Sequence, residues 1–301
     1  MTDNATSPAE KTSPAFGLLC ALMIAGLWSG FIVVSRMGAL SPLSIYDMAA
    51  LRFSFAAALL LPATWLWWPW RLNIWQIFVL AAGTGVPYAL LAYAGFLFAP
   101  VSHGGVFING TLPIFTTIIS IIWLGLRPTR LAYAAIAIIL LGCALTAFAK
   151  DGLGQSDSWI GDLFFCAAAF IMAVYMPATK AWKLSIKELL ALVPFTNAII
   201  YLPIWYFFLE SNLEAAALDD ILLQMIYQGL GPSILGLVFF FLAIKHLGPT
   251  PTAAVLALVP SFAAIAGIPL LGDIPHMFEW IGMGLVTLGI LMTLKPKRSE
   301  K

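Results

Sequence analysis

The sequence predicts an all-α membrane protein of ten transmembrane helices, arranged as two inverted five-helix repeats. Three observations carry this. Apolar residues make up 61% of the chain and charged residues only 10%, against about 25% charge in soluble domains, so most of the chain must have lipid as its solvent. The apolar runs are continuous, without the period-two alternation of a membrane barrel. The second half of the chain repeats the punctuation of the first.

About 20 apolar residues cross the hydrocarbon core. Ten such runs are legible, at 15–35, 43–67, 74–98, 104–125, 131–149, 159–179, 187–209, 221–244, 251–271 and 278–294. Residues 1–14 are polar and are expected to be a disordered cytoplasmic N-terminus. The run from Pro14 to Val34 is too long for the apolar region of a cleaved signal peptide and lacks a small-residue cleavage site. Trp65, Trp67, Trp68 and Trp70 close the second span and suit an interfacial aromatic belt.

Orientation follows from the cations. With the N-terminus inside, the inside segments hold Lys11, Arg71, Arg127, Arg130, Lys180, Lys183, Lys187, Lys245, Lys295, Lys297, Arg298 and Lys301. The outside loops hold only Arg36 and Lys150. This bias places both termini, including the basic tail 295–301, in the cytoplasm. A net charge of +1 excludes general attraction to nucleic acid. Cys20, Cys143 and Cys166 lie in apolar stretches and read as free buried thiols, with no disulfide framework. No metal-ligand spacing and no cofactor motif is present, so neither is expected.

Shifted by 147 residues, PIFTTIISIIWLGLRP (113–128) falls on PSFAAIAGIPLLGDIP (260–275) without a gap. Pro113 meets Pro260, Gly125 meets Gly272 and Pro128 meets Pro275. At an offset of 141, SIYDMAALRFSFAAALLLP (44–62) falls on SIKELLALVPFTNAIIYLP (185–203), with Asp47 over Glu188. Chance matches among apolar residues would not put Pro, Gly and helix-start residues in register. The organisation read from this is a first repeat over 15–149, a linker over 150–158 and a second repeat over 159–294. Five spans is an odd number, so the second repeat enters from the opposite side. Inverted repeats sharing a midplane site mark many secondary transporters.

LRF (51–53), P-x10-LGLRP ending span 4, P-x10-LGDIP ending span 9, GDLFF opening span 6, and YQGLGPS before KHLGPTPTAA together resemble the EamA-type, ten-helix drug/metabolite transporter superfamily. The resemblance covers nearly the whole chain. It implies alternating-access transport or export of amino acids, sugars, nucleotide derivatives or drugs. The expected location is a bacterial inner (cell) membrane. Leu126 stands where the family usually has Glu, whereas Asp273 keeps the acid in the second half.

Spans 3 and 8 carry Gly83, Gly85 and Pro87, and Gly229, Gly231 and Pro232. Such residues free backbone groups that lipid cannot satisfy, so helix breaks facing a cavity are expected, with Pro113 and Pro260 as further hinge positions. Arg52 lies inside span 2, and a cation at such a depth is a functional-site hypothesis; the structural alternative is a pair with Asp47. Trp28, Tyr88, Asn109, Tyr175 and Ser233 fall near mid-span and, with Arg52, form the expected substrate-binding set. Gly83 and Gly231 are expected to admit close approach to substrate, and Gly26-x3-Gly30 a tight helix crossing. His103, His246 and His276 fall in three different connections, which leaves a histidine proton relay as a minor reading, and no acid sits at a mid-span, so a buried carboxylate proton relay has little support. The expected partners are a small molecule and the bilayer, with aromatic or hydrophobic amino acids favoured. An intramembrane enzyme would need HExxH, GxSxG or paired mid-span aspartates, and a channel a charged or carbonyl-lined filter; none is visible.

Overall fold

The computed structural model describes residues 13–125, 127–149 and 157–294. The expectations for residues 1–12, Leu126, the linker residues 150–156 and the tail 295–301 lie outside the described residues. All regular structure among the described residues is helical. Nine segments are long and apolar enough to cross a membrane, and a tenth is slightly shorter. In order they are α1 (Pro14–Leu40), α2 (Ile45–Trp67), α3 (Ile74–Thr84) with α4 (Val86–Phe98), α5 (Val101–Leu124), α6 (Arg130–Ala147), α7 (Ser158–Ala181), α8 (Ile186–Phe208), α9 (Leu218–Leu247), α10 (Pro249–Leu256) with α11 (Val259–Leu271), and α12 (Met277–Thr293). Successive spans run in opposite directions. The start of α1 and the end of α12 therefore share one end of the bundle, here the terminal end; the other is the distal end.

The repeated motifs turn out to be helix-end chemistry. Both SIxD/E segments are capping boxes. The Ser44 hydroxyl accepts the Asp47 amide at 3.0 Å, and the Asp47 carboxylate accepts the Ser44 amide at 3.1 Å. Ser185 and Glu188 repeat this at 3.3 and 2.8 Å. Both Leu-Gly pairs end a helix in the left-handed conformation, at φ 60° for Gly125 and 70° for Gly272, which glycine adopts without a Cβ clash.

The same symmetry appears in tertiary contacts. At the distal end Asp47 accepts hydrogen bonds from Trp205 Nε1 at 2.9 Å and from the Asn212 amide at 2.8 Å. At the terminal end Glu188 pairs with Arg71. Asp47 and Glu188, like Arg71 and Asn212, are 141 positions apart. The antiparallel α2 and α8 are thus tied at both ends by the same two repeat positions. The last helices of the two halves, α6 and α12, approach backbone to backbone. A Cβ on Gly142 would stand 2.7 Å from the Gly282 carbonyl, and one on Gly282 2.6 Å from the Gly142 carbonyl. Small residues replace the hydrophobic effect as the means of helix association in lipid.

Large apolar side chains cover the outside. Trp65 is 74% exposed and Phe208 81%, and a surface of that kind is satisfied by acyl chains. Inside, Phe53, Tyr93, Phe96 and Phe165 are fully buried.

Several expectations need correction. α1 runs on to Leu40, because nothing from Arg36 to Ala39 stops a helix; Arg36 therefore lies on α1 rather than in a loop. His103 is on α5, not in a connection. The interruption of span 3 falls at Gly85. Span 8 is not broken: its backbone widens into π-helical turns over Leu223–Gln228 and Gly231–Leu235. Span 9 is interrupted instead, after Leu256. Gly30 packs on Tyr227, whereas Gly26 meets nothing, so the Gly26-x3-Gly30 pair is not one crossing point.

Candidate functional site

Two irregular helices shape the centre of the bundle. At Gly85 the backbone leaves the helix, at φ −92° and ψ −148°, and buried polar groups lose their helical partners. Asn197 of α8 supplies replacements. Its Oδ1 accepts the Val86 amide at 2.8 Å, and its Nδ2 donates to the Ala81 carbonyl at 2.9 Å. In α9 the wide turn lets the Ser233 hydroxyl donate back to the Gln228 carbonyl at 2.8 Å. The Ser233 oxygen is then aimed at α2, where it accepts Arg52 Nε at 3.0 Å. Gly229 lets the two helices come this close, since a Cβ there would stand 3.0 Å from the Arg52 carbonyl.

Arg52 is only 5% exposed. Its guanidinium donates to the Tyr93 hydroxyl at 3.5 Å and lies 5.2 Å from the ring centres of both Phe31 and Phe53. The contemplated pair with Asp47 does not form, because Ser44, Trp205 and Asn212 occupy that carboxylate. Among the described residues no carboxylate lies within ion-pair distance of Arg52. Cation–π contacts and neutral acceptors stabilise a cation, but a buried charge without a counter-ion keeps a desolvation cost of several kcal/mol.

Arg52 faces a cavity of about 330 Å³, within the usual size of small-molecule sites. Trp28, Arg52, Tyr88, Asn109, Tyr175 and Ser233 all line it. Aromatic and aliphatic groups complete the wall, Phe31 and Phe240 among them, and no acidic residue does. Besides spans 1, 3, 4, 6, 8 and 9, spans 2, 7 and 10 contribute, through Arg52, Val193 and Ile290. The lining reaches from mid-bundle toward the terminal end, as Leu189 in the first turn of α8 and Ile290 in the last turn of α12 mark. Beyond Arg52, toward the distal end, the bundle is closed. Phe96 and Phe165 pack with their rings tilted by 59° and their centres 4.7 Å apart, and Arg36 binds the Phe96 carbonyl and sits 3.9 Å from Asp273.

The expected hinge residues divide. Pro113 and Pro232 line the cavity. Gly83 does not face open space, since a Cβ there would stand 2.3 Å from Tyr175 Cβ; its role is to seat Tyr175. Gly231 faces Leu27 and Tyr227 at 3.4 and 3.8 Å rather than the cavity. Gly85 packs on Asn197, Pro87 lies in the first turn of α4, and Pro260 packs over Gly105. The sequence reading missed Asn197, Gln224, Gln228, Tyr93 and Glu279. The first three carried a usable signal, being amide side chains inside apolar spans. Gln224 and Gln228 are 1% and 0% exposed and donate to the Val34 carbonyl and the Ser35 hydroxyl of α1 at 2.8 and 3.1 Å.

An inverted ten-span bundle around an aromatic cavity holding one buried cation is the build of a multi-pass membrane transporter of small molecules. A sequence profile of the EamA-like transporter family matches residues 15–148 and 159–295; the chain belongs to this family. It is also similar to a protein of Streptantibioticus cattleyicolor described as a probable terminal-alkyne amino-acid exporter, with 26% identity over 221 residues, covering 71% of each chain. In fold it matches a solved crystal structure with a TM-score of 0.64, at 20% identity over 96% of this chain and 99% of the other.

Proposed function

We propose that the protein is an alternating-access exporter of amino acids with aromatic or hydrophobic side chains. The observation that carries this is Arg52, a buried guanidinium with no counter-ion among the described residues, facing an aromatic cavity. A substrate carboxylate would offset its desolvation through a two-pronged, charge-assisted pair. The apolar body would lie against Trp28, Tyr88 and Tyr175. With no acid in the wall, a substrate ammonium would be met by ring faces and neutral oxygens. The similar Streptantibioticus cattleyicolor protein, described as a probable amino-acid exporter, supports the same class. The cation count supports a cytoplasmic terminal end, as in a bacterial inner membrane, and the cavity would then be in its inward-facing state. Sugars and other substrates without an anionic group would gain less from an unpaired guanidinium in an apolar pocket.

The test is counterflow of labelled L-phenylalanine in proteoliposomes of purified protein. Wild type should exchange saturably. Arg52→Lys keeps the charge but loses the fork, and a charge-assisted bond of about 1.5–3 kcal/mol corresponds to a roughly 10- to 150-fold weaker apparent affinity. Arg52→Ala with unchanged kinetics would remove the basis of the assignment.

A further inference from the structure

Three ionisable side chains meet away from the cavity wall. His103 lies in the first turn of α5, Asp162 in the second turn of α7, and Glu279 in the first turn of α12. His103 Nδ1 stands 2.8 Å from Asp162 Oδ1, and Nε2 stands 3.3 Å from Glu279 Oε1. The side chains are 5%, 9% and 0% exposed. Ser102 Oγ donates to Glu279 Oε1 at 2.8 Å, and the His276 amide donates to Glu279 Oε2. His103 belongs to the first half of the chain and both carboxylates to the second.

The proton count follows from geometry. A neutral imidazole has one N–H and one lone pair, and an ionised carboxylate only accepts. Here both ring nitrogens face carboxylate oxygens. Both contacts are hydrogen bonds only if the cluster holds one proton more than a neutral imidazole with two carboxylates. Removing that proton leaves a lone pair against a carboxylate oxygen and two buried negative charges with no cation between them. The two carboxylates sit on opposite edges of the ring, so they cannot converge with an imidazole lone pair on a single metal ion.

No other charge intervenes among the described neighbours. From α7 and α6 come only the free thiols of Cys166 and Cys143. Tyr93 of α4 turns to Arg52. The His276 ring accepts the Phe278 amide at 3.4 Å. Asp273, after α11, accepts the Val101 amide at 3.5 Å and is bridged by Arg36 of α1.

We propose that His103, Asp162 and Glu279 form a proton-binding site that couples proton transfer to the movement of the two halves, so that the coupling ion is H⁺. The proposal rests on the carrier reading above. On release, the extra proton leaves the imidazolium for water reached through the cavity at the terminal end, and the imidazole becomes neutral. The longer contact, from His103 to Glu279, turns from attractive to repulsive and pushes α12 from α5. That loosens the distal closure beside Arg36, Asp273 and Phe96. Rebinding of a proton from water at the distal end restores the seal, so that protons move inward as substrate moves outward.

Two measurements on the purified full chain test this. First, infrared difference spectra between about pH 7 and about pH 10, above the range of a free imidazole because two carboxylates hold the proton, should contain carboxyl and imidazole bands that vanish in His103→Gln and Glu279→Gln. Second, an imposed pH gradient should drive uphill accumulation of L-phenylalanine by wild-type proteoliposomes but not by Glu279→Gln, which should retain counterflow at equal pH. A wild-type spectrum without such bands, spectra unaltered by both substitutions, or gradient-driven accumulation by Glu279→Gln would overturn the proposal. Absence of phenylalanine counterflow in wild type would count against the substrate assignment instead, and the spectra, which need no substrate and no variant to reveal proton uptake, would still decide the proton site.

Discussion

Asn197→Leu removes the side chain that bridges the interruption of span 3 while nearly keeping its volume. Two buried backbone groups lose this partner, the Val86 amide and the Ala81 carbonyl. The third contact, from Nδ2 to the Val193 carbonyl at 2.8 Å, is dispensable, because that carbonyl also faces the amide four residues on within α8. Leaving a buried group unsatisfied costs about 1–3 kcal/mol, so two groups give about 2–6 kcal/mol. Hydrogen bonds in membrane proteins average only about 0.6 kcal/mol, since the reference state finds other partners. At a helix interruption no such partner is at hand, so the larger figure should govern. The assay is the unfolding free energy of purified protein in mixed micelles under increasing denaturing detergent. Gly85→Ala should act on the same lock, since its Cβ would lie 1.9 Å from the Ala81 carbonyl and 2.2 Å from Asn197 Nδ2. A loss below about 1 kcal/mol in Asn197→Leu would refute the reasoning and mean that the ends of α3 and α4 find their own partners.

Topology is tested with single cysteines: Ala215→Cys should react with an impermeant maleimide from outside intact cells and Leu184→Cys should not, and the reverse pattern would invert the assigned orientation. Gly83→Leu should displace Tyr175 and abolish transport, whereas Gly231→Ala should leave counterflow within about twofold, because only contacts of 3.4 Å and longer await its methyl group; equal loss in both would show that Gly231 faces substrate after all. Glu188→Gln should weaken the tie to Arg71 only slightly, measured by the same detergent unfolding, because Arg71 is half exposed and solvent screens the pair.

The amino-acid sequence by itself determined the spans, their number and the two-fold repeat. Hydrocarbon thickness fixes the length of an apolar run, and helix ends need particular residues at particular places, which is why the SIxD/E boxes and the Leu-Gly caps were legible at fixed offsets. It also determined which polar and aromatic residues would stand at mid-depth, since depth follows from position along a helix. The rotation of each helix about its axis was decided only by the tertiary structure. A hydrophobic pattern specifies rotation when one face meets water, but here lipid and protein interior are equally apolar, so the pattern is nearly uniform around each span. That is why Gly83 and Gly231, alike in sequence, face a packed tyrosine and a looser contact. It is also why Asn197 could not be matched to a break 111 residues away. The meeting of His103, Asp162 and Glu279 depends on three helix ends from two halves converging at one depth, a relation between elements that no local spacing records.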